Sequence, residues 1–344
     1  MHQARLLAAC AVLMAAVPAA AQPLRPRSDV LGLAKVGHHV ADLERAIRFF
    51  EAIDFQLVEG PTPWRVDAEI NQLGNTPGAE SRMAVMRIAS SVSDVPFDLI
   101  LREYRGIERQ DWSGRNSWDL LSSHIDLTID GSVSPLLDKL EALGMLKMPE
   151  VQGLPNPRQQ PGFRRFAFIQ SPDGLVIEYF GKAPRDPNAP PLVSNSTATN
   201  ANIDRWGKQA GFNHYAVNII DPHKAQDFYV KVLDGDYPEE HTPGPQQMLH
   251  GWFRQANTDA NLRVELIYFE INKGKPAPPM KFQDINTNYA VFQVTDIEQV
   301  YARAKQHGAV TVTPGGIMKY GDGRAVLIRD SDVGGYILLW QPGK

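Results

Sequence analysis

Residues 123–145 read SHIDLTIDGSVSPLLDKLEALGM, and residues 213–235 read NHYAVNIIDPHKAQDFYVKVLDG. Both open with strict alternation. In the first, Ile125, Leu127 and Ile129 share one face while His124, Asp126 and Thr128 share the other. In the second, Tyr215, Val217 and Ile219 oppose His214, Ala216 and Asn218. Side chains alternate across a strand, so each opening predicts a strand with one apolar face. An apolar pattern at helical spacing follows, such as Leu136, Leu137, Leu140 and Leu143.

The same pattern occurs twice more, as AKVGHHVADLERAIRFFEAIDF over 34–55 and NYAVFQVTDIEQVYARAKQHGA over 288–309. Asp42, Asp221 and Asp296 fall where a helix N-cap belongs, and Gly131 takes that place in the second segment. Each segment ends in a further strand: FDLILREY (97–104), LVIEYFG (175–181), RVELIYFE (263–270) and YILLWQ (336–341). The second follows the turn Ser171-Pro172-Asp173-Gly174. Fourfold recurrence of one unit predicts an α+β fold of four like modules, each a strand, a helix and further strands. Their expected bounds are 30–106, 118–183, 211–272 and 285–344. A proline-rich, then Ser/Thr/Asn-rich stretch over 184–210 reads as a linker between halves 30–183 and 211–344. Residues 273–284, rich in Lys and Pro, read as a shorter connector.

A chain of 344 residues with 43% hydrophobic and 22% charged residues has a globular composition. Its net charge of −4, without a basic run, gives no electrostatic support for a nucleic-acid partner. Residues 1–21 combine Arg5, an apolar run from Leu6 to Val17 and Ala19-Ala20-Ala21, the layout of a cleaved signal peptide. The expected product is periplasmic or secreted, monomer or homodimer, and free of the membrane after cleavage. A lipobox reading at Leu7-Ala8-Ala9-Cys10 leaves almost no hydrophobic segment before the cut. Cys10 is the only cysteine, so a metal site in the mature chain would use His, Asp and Glu.

The strand–Asp–helix openings, and above all SPDGLVIEYF at 171–180, resemble the vicinal oxygen chelate superfamily. That superfamily includes glyoxalase I, bleomycin-resistance proteins and extradiol dioxygenases. The resemblance implies four βαβββ modules forming paired open sheet cups, with metal ligands on the first and last strands of each module. Counting seven back from the Asp position gives Lys35, His124, His214 and Tyr289. The matching last-strand residues align as Asp98, Glu178, Glu265 and Leu339. Modules two and three then each offer a His and a Glu. If module one faces four and two faces three, His124, Glu178, His214 and Glu265 share one divalent ion, and the other cup has no ligand set. If one faces two and three faces four, both sites are incomplete and one carries Lys35. The complete set is the simpler account. Two imidazoles and two carboxylates suit Ni, Co, Mn, Fe(II) or Zn with open positions.

By this resemblance the function is a metal-dependent lyase or isomerase acting on a small oxygenated molecule through a metal-stabilised enediolate. Glu178 or Glu265 would be the base. The alternatives are an extradiol-type ring-cleaving dioxygenase and a non-enzymatic small-molecule binder. Asp126, Asn218 and Arg263 share the ligands' parity and are expected to contact substrate, Arg263 as an anchor for an anion. His38 should face the helix and His39 the Lys35 cup. Trp252, Phe253, Tyr268 and Phe269 read as core or cup-wall aromatics.

Overall fold

The computed structural model describes residues 29–149, 166–182, 210–237 and 246–343. The expected leader lies outside them, as does the expected linker save its last residue. Alternation becomes strand where it was expected. The first segment holds β1 (Val30–Val40), α1 (Leu43–Ala52), β2 (Gln56–Glu59), β3 (Arg65–Val66), α2 (Ala68–Gly74), β4 (Glu80–Ile88) and β5 (Phe97–Arg105). The second holds β6 (Ser123–Asp130), α3 (Ser134–Ala142), β7 (Phe166–Gln170) and β8 (Val176–Lys182). The third holds β9 (Gly211–Ile219), α4 (Pro222–Leu233), β10 (Gln246–Arg254) and β11 (Asn261–Phe269). The fourth holds β12 (Asn288–Val294), α5 (Ile297–Gln306), β13 (Val310–Thr311), β14 (Met318–Tyr320), β15 (Gly323–Arg329) and β16 (Tyr336–Gln341). The fold is α+β with two mixed sheets. No helix among the described residues is long and apolar enough to cross a membrane.

Helix starts follow the sequence chemistry. Asp42, Asp221 and Asp296 each accept hydrogen bonds from backbone N–H groups in the first turn of α1, α4 and α5. Such a cap stabilises by about 1 kcal/mol. α3 has no side-chain cap; it begins with Pro135 in its first turn, after Gly131 at φ +85°.

The segments interleave. One sheet runs β13-β15-β16-β12-β1-β5-β4-β2, with β14 beside β15 and β3 beside β4. The other runs β10-β11-β9-β6-β8-β7. The first segment therefore meets the fourth at the antiparallel β1–β12 seam, and the second meets the third at β6–β9. Apolar faces of both sheets and the buried faces of α1, α3, α4 and α5 join one core. Phe97 of one sheet stacks on Phe212 of the other at 3.5 Å, with planes 2° apart.

Two expectations are corrected. In the parallel pairs, Asp126 lies opposite Glu178 and Ala216 opposite Glu265. The equivalent pairs in the larger sheet are Gly37–Ile100 and Val291–Leu338. Asp98 is thus two residues short of the expected position. Leu339 is one residue beyond it and faces the core. The stretch 273–284 joins the third and fourth segments and also packs on the larger sheet. Met280, Phe282 and Asp284 are buried, and Phe282 packs against His39, Tyr289 and Tyr336 on the larger sheet.

Candidate metal centre

The β6–β9 seam brings the central histidines together. His124 pairs with Ala216 and Asp126 with His214 across it, which leaves the two imidazoles on the same face. Glu178 comes from β8 beside β6, and Glu265 from β11 beside β9. Donor atoms of His124, Glu178, His214 and Glu265 all lie within 4.8 Å of one another, and all four residues are buried. The two Nε2 atoms are 3.3 Å apart. Glu178 Oε2 is 2.9 Å from His124 Nε2 and 3.4 Å from His214 Nε2. Glu265 Oε2 is 3.5 Å from His214 Nε2.

These separations fit donors around one ion. Two ligands each about 2.1 Å from a common centre, at 90–109°, stand roughly 3.0–3.4 Å apart. Protonation fits as well. Asn213 Nδ2 donates to Ser91 Oγ at 3.1 Å, which leaves its Oδ1 to accept from His214 Nδ1, also at 3.1 Å. The neutral ring then carries its lone pair on Nε2, toward both carboxylates. Burial lowers the His214 pKa and favours that neutral form. Burial pushes the Glu178 carboxyl up, but the neighbouring His124 and His214 rings outweigh it and hold the carboxyl below the usual carboxylate range. Neutral imidazoles and ionised carboxylates are the forms that bind metal.

The other expected residues fall around this cluster in different roles. Asp126 lies behind His214, with Oδ1 3.6 Å from Nδ1. The Asn218 amide donates to the carbonyls of Ser117 (2.7 Å) and Asp119 (2.8 Å) and fixes that loop. The loop places Trp118 against Ala216, Ile267 and Phe269 on the site face. Arg263 Nη1 is 4.0 Å from Glu265 Oε1, and its guanidinium lies 4.7 Å over the Trp252 ring. Phe253 and Tyr268 join the core.

Two contributors were not read from the sequence. Asn213 sets the His214 tautomer. His250 sits opposite Glu265 in the β10–β11 register, with Nε2 3.2 Å from Glu265 Oε1. At the matching position beside Glu178 stands Phe168, whose ring meets His124 edge-on at 5.9 Å. One flank of the cluster is therefore aromatic, and the other carries an imidazole and a guanidinium.

Residues 211–337, which supply His214, His250 and Glu265, match the family model of the Glyoxalase/Bleomycin resistance protein/Dioxygenase superfamily. This stretch is a domain of that superfamily. Solved structures extend the likeness beyond the superfamily domain to most of the chain. Glyoxalase I from Zea mays is 16% identical with a TM-score of 0.52, covering 90% of this chain and 92% of that one. A putative dioxygenase from Bacillus subtilis is 12% identical with a TM-score of 0.51, covering 92% and 87%. At such identities the likeness shows a shared fold. No curated protein matches the sequence.

Proposed function

We propose that this chain is an exported, metal-dependent lyase or isomerase that moves a proton on a small oxygenated molecule. The observation that carries the proposal is the buried His124–Glu178–His214–Glu265 cluster, with its four donors within 4.8 Å. His124, Glu178, His214 and Glu265 would hold one divalent ion. When bound, the ion would supply Lewis-acid polarisation of a substrate oxygen.

The chain's own residues divide the remaining work. Glu178 reaches both imidazoles through one oxygen, Oε2, so its place is with the ligands. Glu265 turns Oε2 to His214 and Oε1 to His250, so it is better placed to take and return the proton. Arg263, held over Trp252, would orient a negative group of the substrate. Trp118 and Phe168 supply apolar walls beside the cluster. The leader pattern of residues 1–21 supports export.

A second reading, ring cleavage of a catechol by a dioxygenase, draws on the same aromatic walls, which suit a flat ring. One experiment separates the two. Protein loaded in turn with Ni, Co, Mn, Zn and Fe(II) is given α-hydroxy and α-oxo compounds in deuterated water. Deuterium entering the carbon next to oxygen supports proton transfer. Oxygen uptake with catechols and no deuterium incorporation would replace the first reading with the second.

A further inference from the structure

The larger sheet carries a different constellation on the face that corresponds to the metal face. Arg102 on β5 is only 6% exposed, yet it makes no ion pair among the described residues. Its guanidinium donates to Ser81 Oγ at 3.0 Å and bonds the Tyr289 hydroxyl. Asp67, which acts on it through space, is already paired with Arg65 at 2.9 Å. Arg109 nearby shows what a structural guanidinium looks like here. It donates to the carbonyls of Tyr104 (2.9 Å), Val40 (2.6 Å) and Gln283 (2.9 Å).

Two further polar atoms beside Arg102 are buried without a hydrogen-bond partner: the Tyr104 hydroxyl and His39 Nε2. Tyr104 is 2% exposed and His39 is fully buried, their rings edge-on at 5.1 Å. His39 Nδ1 lies 2.5 Å from the Phe282 carbonyl, which can only accept. Nδ1 therefore carries the hydrogen. Burial and the nearby Arg102 and Arg109 keep the ring neutral, so Nε2 presents a lone pair. Burial pushes the Tyr104 phenol up, so it keeps its proton to donate. The site thus offers one cation, one hydroxyl donor and one acceptor. A buried charge left unpaired is costly, and buried polar atoms without partners are rare in folded proteins. One ligand could satisfy all three.

We propose that Arg102, Tyr104 and His39 form a second site, which binds a small monocarboxylate carrying a hydroxyl group. The carboxylate pairs with Arg102 and accepts from the Tyr104 hydroxyl, and the ligand hydroxyl donates to His39 Nε2. A monoanion balances the single guanidinium. A dianion would leave net negative charge in a buried place whose neighbouring cation, Arg109, already serves three carbonyls.

The test uses the full, metal-loaded chain, first freed of carboxylate buffers. Glycolate, acetate and chloride are titrated in turn by calorimetry and by thermal melting. Glycolate is expected to bind and to raise Tm with concentration, acetate at least about tenfold more weakly, and chloride not at all. Arg102→Met should abolish the glycolate response and, without anion, melt above the unsubstituted protein. Tyr104→Phe, which keeps the ring, should weaken glycolate about tenfold. Metal content should stay unchanged in both variants, so this outcome is independent of the metal centre. No response to glycolate in the unsubstituted protein, or an undiminished one in Arg102→Met, overturns the site. Equal responses to all three anions overturn the hydroxy-acid class. If Arg102→Met does not fold, Tyr104→Phe decides: unchanged glycolate affinity refutes the site.

Discussion

In the six-stranded sheet, His124 and His214 meet Glu178 and Glu265. At the same register positions, the larger sheet holds Lys35, Tyr289, Ile100 and Leu338. The seams match: His124 faces Ala216 as Lys35 faces Val291, and Asp126 faces His214 as Gly37 faces Tyr289. One backbone plan therefore carries two chemistries. Where four donors converge, the charge balance calls for a divalent cation. In the other sheet Lys35 lies 3.7 Å from Asp98, which also forms two hydrogen bonds with Arg87. Two residues past Ile100 stands Arg102, and there the balance calls for an anion. Phe282 and α2 also close over that sheet, with Leu73 and Phe282 in one apolar cluster with Tyr289 and Leu338. Side-chain charge, rather than strand topology, decides which ligand each face can take.

This contrast can be broken most directly at the histidines. His124→Ala and His214→Ala should each cost roughly a hundredfold to just under a thousandfold in metal affinity, as one ligand of four in a binding free energy of about 10–16 kcal/mol. Elemental analysis should show equal losses; loss in only one variant would mean that the two imidazoles do not share an ion. The coupling between the sheets comes next. Phe97→Ala removes the ring stacked on Phe212 and should lower stability by about 3–5 kcal/mol, read from denaturant unfolding. Separate transitions for the two sheets, in place of one shifted transition, would show that each stands alone. Asn213→Ala, which frees the His214 tautomer, should weaken metal binding about 10–100-fold in chelator competition. An unchanged affinity would remove Asn213 from the site.

The smallest effect concerns pH. Burial pushes the Asp332 carboxyl from 3.8 up to about 6, against hydrogen bonds from the Ile220 and Asp221 backbone. The folded state then binds more protons than the unfolded state between these values, so this group adds stability as pH falls from about 6 to about 4. Its ionised form is penalised above pH 6. Asp332→Asn should flatten that part of the profile, read as urea midpoints at pH 7 and 4.5. An identical slope in both proteins would refute the assignment.

The sequence made the strands legible where one face is apolar, and the His124–Glu178–His214–Glu265 cluster legible because two segments repeat the same offset. It failed where register decides. Aligning the last strands points to Asp98, but hydrogen bonding sets Ile100 opposite Gly37. His250 shares its face with Trp252 and opposes the core residues Leu249 and Phe253, so its parity was visible. Its partner Glu265 was not, because the β10–β11 hairpin fixes that pairing. Asn213 lies beside a predicted ligand, but its role depends on Ser91, which is 122 residues away in the chain. The Lys- and Pro-rich composition of 273–284 concealed Phe282, whose burial comes from a distant sheet. The buried Arg102 lies in FDLILREY, where alternation gives its face but not its lack of a counterion.

The two seams have a consequence for synthesis. Until β9 and β12 have been made, β6 and β1 each end a half-sheet with a bare hydrogen-bonding edge. Each awaits a strand encoded in the other half of the gene. The nascent N-terminal portion therefore exposes two adhesive borders for as long as the ribosome takes to reach residue 294. Severing the chain between residues 182 and 211 would leave two fragments with complementary borders, each best satisfied by the other.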